Sequence, residues 1–330
     1  MTKKLFVLAF VPFLLISCKG KDSLVEGDIK FACPTGAPAL AFFNQGNNPY
    51  FITNSESGVI GAELQKNECD VVVYPAMDGL KTIKENQEIN GINYRLAKII
   101  TGGNFYLISV NKTPGEGGEI PLPSESDYVV SFQENKLPDK VFKKLCSDHW
   151  YINPSMHYVD NATMIGGVLK TGKHAGNNVD YIVAPEPAVT RMMLNTGAET
   201  YGKLAIVKSI RSEWKALTGL DGIVQAGLFV NKNTLETKQT KIKEFMNQVA
   251  DNMETAINNP DVAAASINVY STDTSKQNEK FGFFASDVIN VQADGHNGFG
   301  LLKKSESLDV NAFLTSMGMA TYPEEYFVNI

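Results

Sequence analysis

Apolar positions in this chain fall into three arrangements, and each predicts a different kind of element. The first is a single block. Leu5 to Ile16 run almost wholly apolar behind Lys3 and Lys4, and the block closes on Leu15-Ile16-Ser17-Cys18. Twelve such residues fall short of the roughly twenty that span a hydrocarbon core. A basic start, a short apolar stretch and a small residue before a cysteine form a secretory signal with a lipoprotein-type ending. Residues 1–17 are expected to be removed, Cys18 to carry a lipid anchor, and the polar stretch 18–27 to tether the folded body.

The second arrangement is a set of short, β-branched runs, each closed by a small polar turn and followed by helical periodicity. Strands are expected at 29–33, 50–53, 70–74, 96–101 and 105–111, with helices through 43, over 59–65 and from 77 to 85. Residues 113–126 are rich in Gly, Pro, Glu and Ser and carry no apolar period, which marks a surface connection near a lobe boundary. The alternation then restarts. Strands are expected at 128–132, 158–159, 180–184, 204–210 and 227–231, and helices at 138–146, from 161, and over 186–194. The third arrangement is purely helical. Ile242, Phe245, Met246, Val249, Met253 and Ile257 step by three and four residues along one face. Asn259-Pro260 starts another helix, and Val310, Phe313, Leu314 and Met317 line a last one that stops at Gly318. These stripes read as core, with the final helices packed back on the first lobe.

Two βα series of similar pattern, joined by strands, predict two three-layer αβα lobes in a bilobal α/β molecule. Lobe 1 is expected to comprise 28–111 and 232–330, and lobe 2 112–231, with hinge motion near Val110-Asn111 and Phe229-Val230. Length permits this, since 330 residues suffice for two cores. Loss of residues 1–17 removes two lysines and no acid, taking the formal net charge from −6 to −8. That balance argues against nucleic-acid binding, which needs cations to replace phosphate counterions, and leaves anchoring to the lipid. Cys33, Cys69 and Cys146 cannot all pair. A Cys33–Cys69 bridge is geometrically open, but buried free thiols are expected.

Several chemistries are not indicated. The chain has no Gly-x-Ser-x-Gly elbow. Its four histidines (His149, His157, His174, His296) lack metal-ligand spacing, so neither a metal nor a cofactor is expected. Gly167 to Lys173 resembles the start of a phosphate loop, but His174 stands where Ser or Thr is required and the segment ends a helix. The glycine-rich segment Gly295-His296-Asn297-Gly298-Phe299-Gly300 reads as a loop near the cleft rim.

The positive signal lies in the strand-to-helix turns. In open α/β sheets ligands sit beyond the carboxyl ends of strands, against helix N-termini whose first N–H groups are unclaimed. Thr35, Gly36 and Ala37 occupy the first such turn, and Tyr74 and Met77 the second. Asn104 and Phe105 follow Gly102-Gly103, Asn161, Ala162 and Thr163 open a helix, and Glu186 lies between Pro185 and Pro187. Each of these polar residues serves either a ligand or a helix cap. Trp150 and Trp214 are read as core or lobe-surface residues.

The order Pro34-Thr35-Gly36-Ala37-Pro38-Ala39-Leu40-Ala41, then Cys69-Asp70-Val71-Val72-Val73, then Val179 to Ala188 through Ala184-Pro185-Glu186-Pro187 resembles one family. It is similar to the solute-binding proteins of ABC importers in the nitrate/sulfonate/thiamine-precursor group, over about residues 28–270. The resemblance implies the bilobal type II periplasmic-binding-protein fold, with a small-molecule solute closed between two lobes and delivered to an ABC permease. It implies no enzymatic activity, and a monomer on the extracytoplasmic face of a bacterial membrane. The family's Gly-Ala-Pro and Glu-Pro turns flank the cleft and fall here on Gly36-Ala37-Pro38 and Glu186-Pro187. No Arg or Lys stands in these turns, and Glu186 as acceptor leans toward an aminopyrimidine-like ligand over a sulfonate-like one. Two rivals remain. One is an enzyme on the same bilobal fold, set against by the lipoprotein signal; the other is a sensory binding lipoprotein.

Overall fold

The computed structural model describes residues 29–293 and 297–330. The expected signal, Cys18 and the tether lie outside the described residues, as do Gly295 and His296 of the glycine-rich loop. Strands in chain order are β1 (Phe31–Pro34), β2 (Phe51–Asn54), β3 (Val71–Pro75), β4 (Tyr94–Thr101), β5 (Phe105–Val110) and β6 (Tyr128–Phe132). They continue with β7 (Ser155–Val159), β8 (Lys173–His174), β9 (Asn177–Asn178), β10 (Tyr181–Pro185), β11 (Leu204–Ser209) and β12 (Ala226–Asn231). Helices α1 (Ser57–Lys66), α2 (Ala76–Asn90), α3 (Leu137–Leu145), α4 (Ala162–Thr171), α5 (Ala188–Met193) and α6 (Ile210–Thr218) alternate with them. The carboxyl-terminal third adds α7 (Lys232–Thr237), α8 (Gln239–Asn258), α9 (Pro260–Tyr270), α10 (Thr274–Phe281), α11 (Ala285–Val291) and α12 (Val310–Ser316).

The strands form two five-stranded sheets, ordered β2-β1-β3-β12-β4 and β11-β5-β10-β6-β7, with β8 and β9 as a separate hairpin. Both follow one plan. Three parallel strands (β2-β1-β3 and β7-β6-β10) meet an antiparallel fourth, β12 or β5, and a fifth strand closes the edge. In each case the antiparallel strand arrives across the junction between the lobes.

That exchange corrects the expected boundaries. β5 pairs with β10 and β11 in the second sheet, and β12 pairs with β3 and β4 in the first. The boundaries expected after residues 111 and 231 therefore each fall one strand too late. The chain crosses at Gly102-Gly103-Asn104 and again over 219–225, so Val110 and Phe229-Val230 lie within strands and not at hinges. A strand, a two-glycine turn and a second strand read as a hairpin, whereas Gly103, at φ 110°, lets the chain leave its sheet.

One buried cluster runs from the first lobe into the second, and a further cluster belongs to the first lobe alone. In the cluster of the first lobe alone, Phe31 stacks on Phe51 at 4.6 Å between ring centres, with Phe42 tilted against Phe31 and Phe245 edge-on to it. The α8 stripe from Ile242 to Ile257 is buried along its length against this lobe, as its periodicity requires. α12 departs from expectation. Its Phe313 packs at 5.3 Å on Trp214 of α6, so this helix ties the chain's end to the second lobe. Cys33, Cys69 and Cys146 are free and buried. Burial pushes the Cys69 and Cys146 thiols up to about 12 and the Cys33 thiol well above its ordinary value. No helix among the described residues is long and apolar enough to cross a membrane.

Candidate functional site

Because the parallel strands of both sheets point toward the junction, their carboxyl ends face one cleft: those of β1, β2 and β3 from one side, those of β6, β7 and β10 from the other. The floor is the double crossing. Gly102 N donates to Gly300 O at 2.7 Å and Ile223 N to Gly102 O at 2.9 Å, so three chain segments meet backbone to backbone. A Cβ on Gly222 would lie 2.9 Å from Gly102 O, and one on Gly300 (φ 67°) would run into Gly103 O. Only glycine fits at those two positions.

Asn104 and Glu186, singled out separately by sequence, are brought together on this floor. Asn104 is buried; its Nδ2 donates to Glu186 O and its Oδ1 accepts from Gln225 Nε2, both at 2.9 Å. Glu186 N in turn donates to Asn104 O at 3.0 Å. The two crossings and the β10 turn, whose Glu186–Pro187 peptide is cis, are thereby fastened by one side chain. Glu186 is 5% exposed, and its carboxylate is taken up by Thr190, which donates its N–H at 3.0 Å and its hydroxyl at 2.7 Å. Burial raises the Glu186 pKa, the Thr190 bonds oppose that rise, and Asp287 adds to it. Burial, and then the Glu186 charge, lift the Tyr106 hydroxyl to about 12.

The other expected residues divide between cleft and scaffold. Thr35 and Gly36 lie half-buried at the end of β1, ahead of buried Ala37 and the 3₁₀ segment Ala37–Gln45. Gly36 N is already engaged, donating to Phe281 O at 2.7 Å. Tyr74 and Met77 are half-buried, and the Tyr74 hydroxyl lies against Gly61 of α1, where a Cβ would come within 2.7 Å. Phe105 is buried edge-on to Phe132 at 5.7 Å, so it fills the second lobe's core and presents no ring face to the cleft. Asn161 accepts from Met164 N at 3.0 Å as the cap of α4, leaving Ala162 and Thr163 exposed in its first turn at the end of β7. Trp214 is fully buried.

Sequence reasoning missed the charges that bridge the cleft. Lys136, before α3, reaches Asp78 in α2 at 3.2 Å. Arg191 of α5 forks onto Asp287 of α11, with Nε 3.2 Å from Oδ1 and the second nitrogen on Oδ2. The Arg191 guanidinium also covers the Phe284 ring at 4.1 Å. Asp287 Oδ2 accepts from Phe284 N at 2.7 Å as well, fixing that carboxylate at the start of α11. No spacing links these partners, because they lie 58 and 96 residues apart.

No protein-family model matches the chain, and no curated protein matches it either. Solved structures do. An ABC transporter protein from Parabacteroides distasonis aligns with a TM-score of 0.56 at 17% identity, covering 88% of this chain and 98% of that one. The periplasmic aliphatic sulphonate-binding protein of Escherichia coli aligns at 0.54 and 9% identity, over 83% and 84%. A Candida albicans protein described as having the generic periplasmic-binding-protein fold aligns at 0.53 and 13% identity, over 90% and 92%. The fold is that of the periplasmic binding proteins. The periplasmic nitrate-binding protein of Synechocystis aligns at 0.53 and 9% identity, over 87% and 76%.

Proposed function

We propose that this chain is a solute-binding component of an ABC importer, which closes a small organic solute between its lobes and delivers it to a permease. The observation that carries the reading is the junction itself: two sheets on one plan, joined by paired crossings with glycine where backbones meet, leave a cleft walled by strand ends and helix starts. Proteins whose described roles are binding sulphonate and nitrate share the fold. The amino-terminal pattern ending in Cys18 supports a lipid-anchored monomer on the extracytoplasmic face of a bacterial membrane. Thr35, Gly36, Ala37, Tyr74, Met77, Asn104, Asn161, Ala162, Thr163 and Glu186 form the proposed ligand-facing set, with Phe105 behind it. No catalytic role is proposed, since the Glu186 carboxylate is held by Thr190 as the cap of α5.

The charges at the floor favour one ligand chemistry. Glu186 and Asp287 are both buried and Arg191 is spent on Asp287, so one acid lacks a cation among the groups described there. Gln225 Oε1 is a buried acceptor with no partner. This set suits a ligand bearing N–H donors, such as an aminopyrimidine, better than a sulfonate. Calorimetric titration tests the choice: heat is expected with aminopyrimidines and none with alkanesulfonates, and the reverse pattern overturns it.

A further inference from the structure

A second cavity lies behind the hinge. It has a volume of about 480 Å³ and is lined by Arg211, Ser212 and Lys215 of α6, by Asp221 of the second crossing, and by Leu302 and residues 305–308. Its place follows from the sheet orders. α6 follows edge strand β11, and Leu301 bridges Thr101 of edge strand β4, so the cavity sits at the β4/β11 edge. Asp78 and Lys136 follow β3 and β6, on the other side of both crossings. The walls also touch the hinge. A Cβ on Gly102 would meet Leu302 at 2.7 Å and the Arg211 guanidinium at 3.5 Å, and one on Gly222 would meet Leu308 at 3.2 Å.

The lining is rich in donors. Arg211 lies in the first turn of α6, where the helix dipole adds positive potential, and Lys215 follows one turn later in the last turn of the helix. Ser212, Ser305 and Ser307 bring hydroxyls from both walls. Their counter-charges are partly exposed: Glu306 lies 3.7 Å from Arg211 while accepting from Lys303 N at 3.0 Å, and Asp221, paired with Lys215 at 2.6 Å, is 71% exposed, its carbonyl accepting from Arg211 Nε at 3.0 Å. Pairs of this kind contribute about 1 kcal/mol or less and yield to a better acceptor.

We propose that this cavity is a regulatory site for a small oxyanion, a phosphate or a carboxylate, which replaces Glu306 on Arg211 and bridges α6 to the 305–307 hydroxyls. An anion held by both walls draws the back of the hinge together and so opens the front, opposing closure over solute. The anion site stands by itself, whereas the effect on solute rests on the function proposed above.

The test uses inorganic phosphate and succinate as separate probes, read by ligand-line broadening in NMR, together with the distance between spin labels at exposed Gln65 and Lys170. Phosphate, succinate or both should broaden on the native chain, and the label distance should change with saturation at the same concentration. Glu306→Gln should tighten binding about two- to fivefold, a gain that misfolding does not produce. Arg211→Gln with Lys215→Gln should weaken it about tenfold or more, while Lys140→Gln, elsewhere on the surface, should not. Broadening that ignores Arg211 and Glu306 overturns the site, and site-dependent binding with an unchanged label distance overturns the regulation. Neither result bears on whether the front cleft takes a solute.

Discussion

Asn104 has its two side-chain polar atoms committed to different segments, Glu186 O and Gln225 Nε2. Truncation would strand both partners in a buried junction, so Asn104→Ala should lower stability by about 2–3 kcal/mol, read as a lower urea midpoint. Glu186 carries a pH signature of opposite sense to most carboxylates. Its folded pKa is raised by burial, so the native state binds its proton more readily than the unfolded chain does. Its contribution to stability is therefore most favourable in acid and declines as pH rises from the ordinary glutamate range to the raised folded value. Unfolding of Glu186→Gln followed against pH should lack that decline, and an unchanged profile would refute the assignment. At this scale the sequence showed which residue types stand in the turns but not their partners. Asn161, read as cap or ligand contact, is a cap toward Met164. Phe105, placed among the turn residues by sequence, went into the core because β5 belongs to the other sheet.

Elements were legible wherever local pattern and tertiary burial agreed. The β-branched runs became strands, and the stripe from Ile242 to Ile257 became the buried face of α8. What local pattern could not carry was sheet membership. β4 and β5 look like neighbours, yet a three-residue crossing sends them to different lobes, and α12 crosses to Trp214 on the strength of Phe313. The caps give a direct check at this scale. Asn161→Ala removes the acceptor for Met164 N at an exposed helix start, and should cost about 1 kcal/mol in chemical denaturation while leaving the far-ultraviolet spectrum intact.

In the whole molecule, the ion pairs Lys136–Asp78 and Arg191–Asp287 span the cleft. Lys136 and Asp78 are both more than 40% exposed along their side chains, so their pairing adds little to folding stability. On the function proposed above, its effect is expected on the balance between open and closed forms. Lys136→Glu sets like charges against each other across the mouth, and should enlarge the radius of gyration in small-angle scattering with almost no change in the urea midpoint. The ion pairs themselves were invisible in the sequence, since each joins residues that only the two-lobe arrangement brings within reach. The central claim is that the two lobes hold one small solute. Intact-mass measurement puts it to the test, on chain purified without unfolding, mixed with a small-molecule extract of the source cells, and sprayed under native and then denaturing conditions. The native mass should exceed the denatured mass by a single small organic molecule; equal masses would contradict the account.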